Sequence, residues 1–155
     1  MKTNLLNGFM AGEMKLTYRS KLTFDSQKSV QTTKQAIDVL RTYFDVETIE
    51  LKEFFKVLLL NAGYQVIGCA QVAEGGLNRM LVDIKNIFQV ALLGNAASII
   101  VAHNHPSGCV RPSMDDIELT EKIQHAGQLL QVQVDDHIII TKDGYFSFNE
   151  TGLIL

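Results

Sequence analysis

Two histidines separated by one residue, His103 and His105, stand at the end of a short apolar stretch of the sequence. In an extended chain, the side chains of residues i and i+2 project to the same side, with Cα atoms about 7 Å apart. Two imidazoles in this arrangement can converge on one metal ion through nitrogens at about 2.0–2.1 Å. Pro106, Ser107 and Gly108 follow directly and turn the chain away. The spacing therefore predicts a metal site at the end of a strand.

Asp116 offers a carboxylate to the same site. It falls in the first turn of a predicted helix, where the helix N-terminus favours an ionised acid. With the two histidines it makes a set of three ligands that leaves a fourth position open for water. Catalytic zinc sites have this form, whereas structural zinc sites are usually closed by four protein ligands. Because the metal lowers the pKa of water to about 7, such a site predicts a hydrolase.

A hydrolase of this kind also needs a carboxylate that takes and returns a proton. Asp115, Glu118 and Glu121 lie beside the predicted helix and are candidates by proximity in the sequence. Glu53 is another candidate, because it stands at the head of a continuous apolar run where a buried strand emerges. The residues alone leave this choice open.

Other polar residues near the site have simpler interpretations. Ser113 and Asp116 form the S-x-x-D pattern of a helix N-cap, a role that Ser113 could combine with one at the site. His125 is interpreted as an ordinary structural residue. His137 is interpreted as a structural residue bonded to a carboxylate or carbonyl, with support of a metal ligand as the alternative.

The pattern of apolar residues predicts alternating helices and strands with some hairpins, and therefore a mixed sheet in an α/β sandwich. Asp25 or Ser26 is expected to cap the first helix. Gly127 is expected to end the last one. The predicted strands are 14–24, 54–60, 64–73, 98–102, 130–141 and 145–148, and the predicted helices are 29–44, 83–93 and 113–126.

The chain has 155 residues, 46% of them hydrophobic, which fits one globular domain. No apolar run approaches the roughly 20 residues of a membrane-spanning helix. Two cysteines, Cys69 and Cys109, make no disulfide framework, so we expect a cytoplasmic protein. The net charge of −3 argues against a protein built to neutralise phosphates, although residues 1–44 carry seven Lys or Arg against three Asp or Glu.

The motif His103-x-His105, followed after seven residues by Ser113-x-x-Asp116, resembles that of the JAB/MPN metalloprotease family in its zinc-binding JAMM form. The string from His103 to Gly108 resembles the RadC-like branch of that family. The resemblance covers about residues 30–155 and includes Glu53-Phe54, Glu74-Gly75-Gly76, Asn95-Ala96-Ala97, Asp136-His137 and Gly152-Leu153.

The resemblance implies a role for each matching residue. His103, His105 and Asp116 would bind one Zn²⁺ per chain, Glu53 would be the general acid and base, and Ser113 would support the water and the tetrahedral intermediate. The implied reaction is hydrolysis of a peptide or isopeptide bond in a peptide or protein substrate. The implied fold is a cytidine-deaminase-like sandwich with a curved mixed β-sheet flanked by helices. It would occupy residues 29–155, after an N-terminal extension over 1–28 with a strand.

The alternative hypothesis is a RadC-type accessory protein of DNA repair or conjugation, in which the zinc site is mainly structural. The basic segment between Lys15 and Arg41 is its support, since a nucleic-acid partner would need such charges. A homo-oligomer is compatible with either hypothesis, and no membrane partner is expected. The sequence lacks the His-x-Glu and Pro-Cys-x-x-Cys pattern of a zinc deaminase. Its His-Asn-His string is also too compact for an HNH nuclease.

Overall fold

The computed structural model describes residues 5–6, 9–10, 28–75 and 80–154. In these residues, no helix is long and apolar enough to cross a membrane. The elements in chain order are β1 (Leu5–Leu6), β2 (Phe9–Met10), α1 (Thr33–Arg41), β3 (Glu53–Leu60), β4 (Val66–Gly75), α2 (Ile84–Leu93), β5 (Ser98–Asn104), α3 (Met114–Leu130), β6 (Gln133–Ile140) and β7 (Tyr145–Ser147).

Five strands form one mixed sheet in the order β4-β3-β5-β6-β7. β3 is antiparallel to both β4 and β5, β5 is parallel to β6, and β6 is antiparallel to β7. β1 and β2 pair separately as a two-stranded antiparallel unit. The predicted mixed sheet and the two predicted hairpins are therefore confirmed.

Helices cover both faces of the sheet, which explains why its central strands are continuous apolar runs. On one face, α1 packs on even-numbered positions of the central strands. On the other face, α2 and α3 pack on odd-numbered positions. The first face includes Ala36, Leu40, Leu58, Leu60, Ile100, Ala102, Ile138 and Ile140. The second includes Phe55, Val57, Ile87, Phe88, Ile99, Val101, Ile123 and Ile139.

The alternation of side chains along the strands decides which polar residues meet. Glu53, His103, His105 and His137 all occupy odd-numbered positions and so lie on the face covered by α3. Phe55 pairs with His103 across β3 and β5, and the same register continued by two residues brings Glu53 beside His105. The sheet thus assembles one polar cluster from three strands at the carboxyl end of β5.

The first helix begins later than the sequence predicted. Thr32 is the N-cap, because its hydroxyl accepts from the Gln35 N–H and the Gln35 side chain returns the bond in a capping box. The helix could not begin at Ser29, because that residue makes an antiparallel bridge with Gln65. Residues Asp25 and Ser26, the predicted caps, and the predicted strand 14–24 lie outside the described residues.

Other predicted boundaries were also wrong, including the end of α1, which lies at Arg41 rather than Phe44, and both ends of β4. β5 continues past Ala102 to Asn104, because it still pairs with β6 there. α3 passes through Gly127 and ends at Leu130, with Gln131 as a left-handed cap at φ 56°. β6 therefore begins only at Gln133. Gly127 is needed for close packing rather than for ending the helix, since a Cβ there would stand 2.5 Å from the Val132 carbonyl oxygen.

Candidate metal centre

Ligand atoms from a strand, a loop and a helix converge beyond the carboxyl end of β5. His103 Nε2 lies 2.9 Å from His105 Nε2 and 3.2 Å from Asp116 Oδ1. Asp116 Oδ2 lies 3.7 Å from His105 Nε2. The ligand atoms of Glu53, His103 and His105 also all lie within 4.8 Å of one another. These side chains are close enough to bind one metal ion.

His105 is oriented by the loop that follows β5. Its Nδ1 lies 2.7 Å from the carbonyl oxygen of Cys109. Because a carbonyl only accepts hydrogen bonds, Nδ1 must carry the proton, which leaves the Nε2 lone pair directed into the cluster. A backbone carbonyl is a common partner for the second nitrogen of a metal-binding histidine. The backbone of Cys109, rather than its exposed thiol, therefore serves the site.

Asp116 is held by the cap of α3. Its Oδ2 accepts from the Ser113 backbone N–H at 2.7 Å and from the Ser113 hydroxyl at 2.6 Å. The Asp116 N–H in turn donates to Ser113 Oγ at 3.1 Å. These bonds leave Oδ1 as the oxygen that faces His103. The capping role considered for Ser113 is present, while its role toward an intermediate stays a prediction.

Glu53 approaches the cluster from β3. Its Oε1 lies 4.0 Å from His103 Nε2, and its side chain is 19% exposed. This distance is longer than those of Asp116, although it still leaves a Glu53 oxygen within 4.8 Å of both histidine nitrogens. The predicted site residues His103, His105, Asp116, Ser113 and Glu53 are thus brought together from four segments of the chain.

Asn104 fixes the position of Glu53 from the opposite face of the sheet. Its Oδ1 accepts from the Phe54 N–H at 2.7 Å. Its Nδ2 donates to the carbonyl oxygens of Lys52 and Ile49, both at 2.7 Å. Asn104 is fully buried and so holds the backbone on either side of Glu53. Sequence reasoning missed this residue, although its place between two ligand histidines puts it on the other face.

His137 and Thr120 continue the cluster into the core. His137 Nε2 lies 2.8 Å from His103 Nδ1, and His137 Nδ1 lies 2.6 Å from Thr120 Oγ1. The expectation that His137 bonds to a carboxylate or carbonyl was wrong, since its partners are another imidazole and a hydroxyl. The odd-numbered position of His137 in its strand could have indicated that it faces the cluster. For Thr120, the sequence offered only its position four residues after Asp116.

Comparison with known sequences places this geometry in a family. A sequence model described as a RadC-like JAB domain matches residues 30–153. The chain belongs to this family. The sequence resemblance to the RadC-like branch is thereby confirmed, and the open mixed sheet flanked by helices is consistent with the fold of JAB domains.

Relatives of this RadC-like JAB domain carry the name UPF0758 protein, which states no activity. The one from Flavobacterium johnsoniae is 36% identical over 126 residues, covering 81% of this chain and 54% of that protein. The one from Porphyromonas gingivalis is 46% identical over 99 residues, covering 63% and 44%. The one from Thermotoga maritima is 41% identical over 101 residues, covering 65% and 46%. The chain spans about half the length of these curated relatives.

The surroundings of the RadC-like site shift the pKa values of its two carboxyl groups in opposite directions. Burial alone raises the pKa of Asp116, but its contacts with His103, His105 and the Ser113 hydroxyl outweigh it and hold this pKa far below the usual range. The neighbouring Asp116 carboxylate raises the pKa of His105. Burial raises the pKa of Glu53 above its ordinary value, although the nearby histidine charges oppose this. Asp116 is thus kept ionised, whereas protonation of Glu53 is made easier.

Two cavities of the RadC-like domain differ in their relation to this site. A small one of about 190 Å³ borders Glu53 and Asp116 and has apolar walls that include Phe55, Val82 and Leu119. A larger one of about 910 Å³ opens at the other end of β5 and β6, and none of the five predicted site residues lines it. The small cavity is therefore the one that a substrate at the metal centre would use.

Proposed function

We propose that this RadC-like JAB domain is a zinc-dependent hydrolase that cleaves an amide bond, either peptide or isopeptide. One observation carries the proposal: His103 Nε2 lies 2.9 Å from His105 Nε2 and 3.2 Å from Asp116 Oδ1, with the Glu53 carboxylate 4.0 Å from the same nitrogen. Two imidazoles and one carboxylate with space beside them are the donor set of catalytic zinc sites.

The distances fit zinc without rebuilding the site. Two nitrogens held about 2.0–2.1 Å from one tetrahedral ion lie roughly 3.3 Å apart. The separation of 2.9 Å between the two Nε2 atoms and that of 3.2 Å between His103 and Asp116 are close to this value. Small side-chain movements would therefore admit the ion. The metal ligands proposed are His103, His105 and Asp116.

The chain's own residues divide the remaining chemistry. Bound zinc would supply Lewis acidity, which lowers the pKa of water to about 7 and polarises the scissile carbonyl. Glu53 would accept the proton from the attacking water and return it to the leaving amine. Burial raises the pKa of Glu53 above its ordinary value, which favours its taking up the proton. The Ser113 hydroxyl, at the N-cap of α3, donates its one proton to Asp116 Oδ2 and would have to turn from that bond to donate to the developing oxyanion.

A hydrolysable substrate would extend from the metal centre into the small cavity beside Glu53. Its walls combine apolar groups, including Met80, Val82 and Leu119, with the carboxylate of Asp115. A volume of about 190 Å³ admits one side chain of medium size. We propose a peptide or protein substrate with an apolar residue next to the scissile bond. The two unpaired cysteines fit the cytoplasmic setting assumed for it.

The proposal is tested by comparing zinc content and hydrolysis in wild type, Asp116→Asn, Asp115→Asn and Glu53→Gln. Asp115 is the matched control for zinc content only, because it is an exposed carboxylate on the same helical turn but also lines the cavity beside Glu53. We expect about one zinc per chain in wild type, Asp115→Asn and Glu53→Gln, and much less in Asp116→Asn. Cleavage of a library of internally quenched peptides should be lost in Glu53→Gln, typically by 100-fold or more for a general base.

Each arm of that experiment has an outcome that contradicts the proposal. Zinc retained at one per chain in Asp116→Asn would remove Asp116 from the ligands. Full cleavage by Glu53→Gln would remove Glu53 from proton transfer. Zinc-loaded wild type that cleaves no amide in peptides or in isopeptide-linked proteins would leave only the structural role of the alternative hypothesis.

Of the described cations in the basic segment, Lys28 and Lys34 are exposed, but Arg41 is committed to the fold. Arg41, one cation of the basic segment, donates from its guanidinium to the carbonyl oxygens of Thr141, Lys142 and Gly144 at 3.2 Å each. Its charge therefore serves the turn between β6 and β7. Lys15, Arg19 and Lys21 lie outside the described residues.

A further inference from the structure

A chain of hydrogen bonds begins and ends on Asp116. Thr120 Oγ1 lies 2.6 Å from the Asp116 backbone carbonyl oxygen and 2.6 Å from His137 Nδ1. His137 Nε2 then lies 2.8 Å from His103 Nδ1. His103 Nε2 returns to the Asp116 carboxylate at 3.2 Å. The chain thus connects α3, β6 and β5 through the two nitrogens of each imidazole.

This chain is closed off from water. Thr120 is 2% exposed, His137 is fully buried and His103 is 1% exposed. The ring of His137 stacks on Phe148 with centroids 4.7 Å apart, and the ring of His103 stacks on Phe55 at 5.8 Å. Each N–H in the chain must therefore find its acceptor within the protein, since an unsatisfied buried donor is costly.

The protons of the chain can point in only two directions. In the first, the Thr120 hydroxyl donates to the Asp116 carbonyl, His137 Nδ1–H donates to Thr120 Oγ1, and His103 Nδ1–H donates to His137 Nε2. His103 Nε2 then has a free lone pair. In the second, the Thr120 hydroxyl turns away from the Asp116 carbonyl and donates to His137 Nδ1, His137 Nε2–H donates to His103 Nδ1, and His103 carries its own proton on Nε2. Only the first direction allows His103 to bind a metal.

We propose that the Thr120 hydroxyl, acting through His137, fixes the tautomer of His103 that leaves its Nε2 lone pair free for the metal. Thr120 Oγ1 is the acceptor that makes the first direction available, because its single proton is taken by the Asp116 carbonyl. Thr120 and His137 are positioning residues and touch neither the metal nor the substrate. The inference rests on the metal ligands of the proposed function.

Removing the hydroxyl therefore weakens metal binding without altering a ligand. In Thr120→Val, the first direction leaves the His137 Nδ1–H without an acceptor. The second direction leaves only an unused lone pair at that nitrogen. His137 therefore carries its proton on Nε2, and His103 Nδ1 accepts the hydrogen bond from it. A metal then has to displace the proton on His103 Nε2. Loss of such a supporting partner typically lowers metal affinity about 10–100-fold.

The test compares wild type, Thr120→Val and Thr120→Ser. Zinc affinity is measured by competition with a chromophoric chelator at fixed pH. We expect Thr120→Ser, which keeps the hydroxyl, to bind within about threefold of wild type, and Thr120→Val to bind at least about 10-fold more weakly. Thr120→Ala replaces Thr120→Val if the latter does not fold, as judged by circular dichroism of the zinc-free proteins.

A spectroscopic arm follows the tautomer itself. Long-range ¹H–¹⁵N correlation spectra resolve the four histidines and report which ring nitrogen carries the proton. We expect His137 to carry its proton on Nδ1 in wild type, with or without zinc, and on Nε2 in zinc-free Thr120→Val. A merely structural role of Thr120 would not move this proton.

The outcomes separate the inference from the proposed function. Equal zinc affinity in all three proteins would overturn the inference, and so would a Thr120→Ser protein as weak as Thr120→Val. Wild type that binds no zinc would overturn the proposed function. In that case the zinc-free spectra still decide, since the same His137 tautomer in wild type and Thr120→Val would refute the role of Thr120.

Discussion

Between His103 and His105, the two proposed ligand histidines, the Asn104 carboxamide points to the opposite face of the sheet and holds the chain on both sides of Glu53. It uses one acceptor and two donors, and all three bonds measure 2.7 Å. Because these groups are buried, no water is at hand to replace the amide if it is removed. The placement of Glu53 thus depends on a residue that never faces the metal.

Replacing Asn104 by alanine should therefore destabilise the protein strongly. The change leaves the Phe54 N–H and two carbonyl oxygens without this partner, so we expect the free energy of unfolding to fall by about 2–4 kcal/mol. Urea denaturation measures this. Asn86→Ala is the control, because Asn86 is exposed on α2 and its loss should change stability by less than about 0.5 kcal/mol. Equal effects of the two substitutions would contradict the role of Asn104.

The sequence predicted the proposed metal ligands better than the residues that hold these ligands in place. The spacing of His103 and His105 follows from local strand geometry, and Asp116 from the start of a helix. The supporting bonds instead join residues far apart in the chain. His137 is 34 residues from His103, and Asn104 is 55 residues from Ile49. No local pattern records such pairs, since they depend on the packing of the sheet.

The errors in the predicted ends of helices and strands came from residues whose local conformational preference was overridden by packing. Gly127 reads as a helix end, yet α3 continues for another turn because the glycine lets the helix approach the chain leading into β6. A Cβ at this position would stand 2.5 Å from the Val132 carbonyl oxygen and 2.9 Å from Val134 Cγ2. The type and order of the elements from α1 to β7 followed from periodicity, whereas their ends depended on such contacts. The short strands β1 and β2 were not predicted.

Gly127→Ala tests this explanation. Although alanine is the better helix former, the clash with backbone should lower the free energy of unfolding by about 1–3 kcal/mol. Gly68→Ala in β4 is the matched control, because a Cβ there meets nothing within 4 Å. We expect the control to change stability by less than about 1 kcal/mol. A Gly127→Ala protein as stable as wild type in thermal and urea unfolding would show that α3 has room to shift.

For the whole molecule, the sheet with helices on both faces explains why the site lies where it does. The carboxyl end of β5 brings His103 to the edge of the core, the following loop supplies His105, and the cap of α3 supplies Asp116. These ligands come from separate segments that only the folded chain brings together. A metal ion bound to all of them would join the sheet to α3, so metal binding and global stability should be linked.

Zinc should accordingly raise the unfolding temperature of wild type in a concentration-dependent way. A ligand that binds only the folded state adds about 2.7 kcal/mol of stability at 100 times its dissociation constant. His105→Ala should lose this stabilisation, because one of the proposed ligands is missing. His125→Ala is the control, since His125 is exposed on α3 and its loss should leave the zinc effect unchanged. Differential scanning calorimetry with and without zinc measures all three proteins, and an equal zinc shift in His105→Ala would mean that the stabilising ion binds elsewhere.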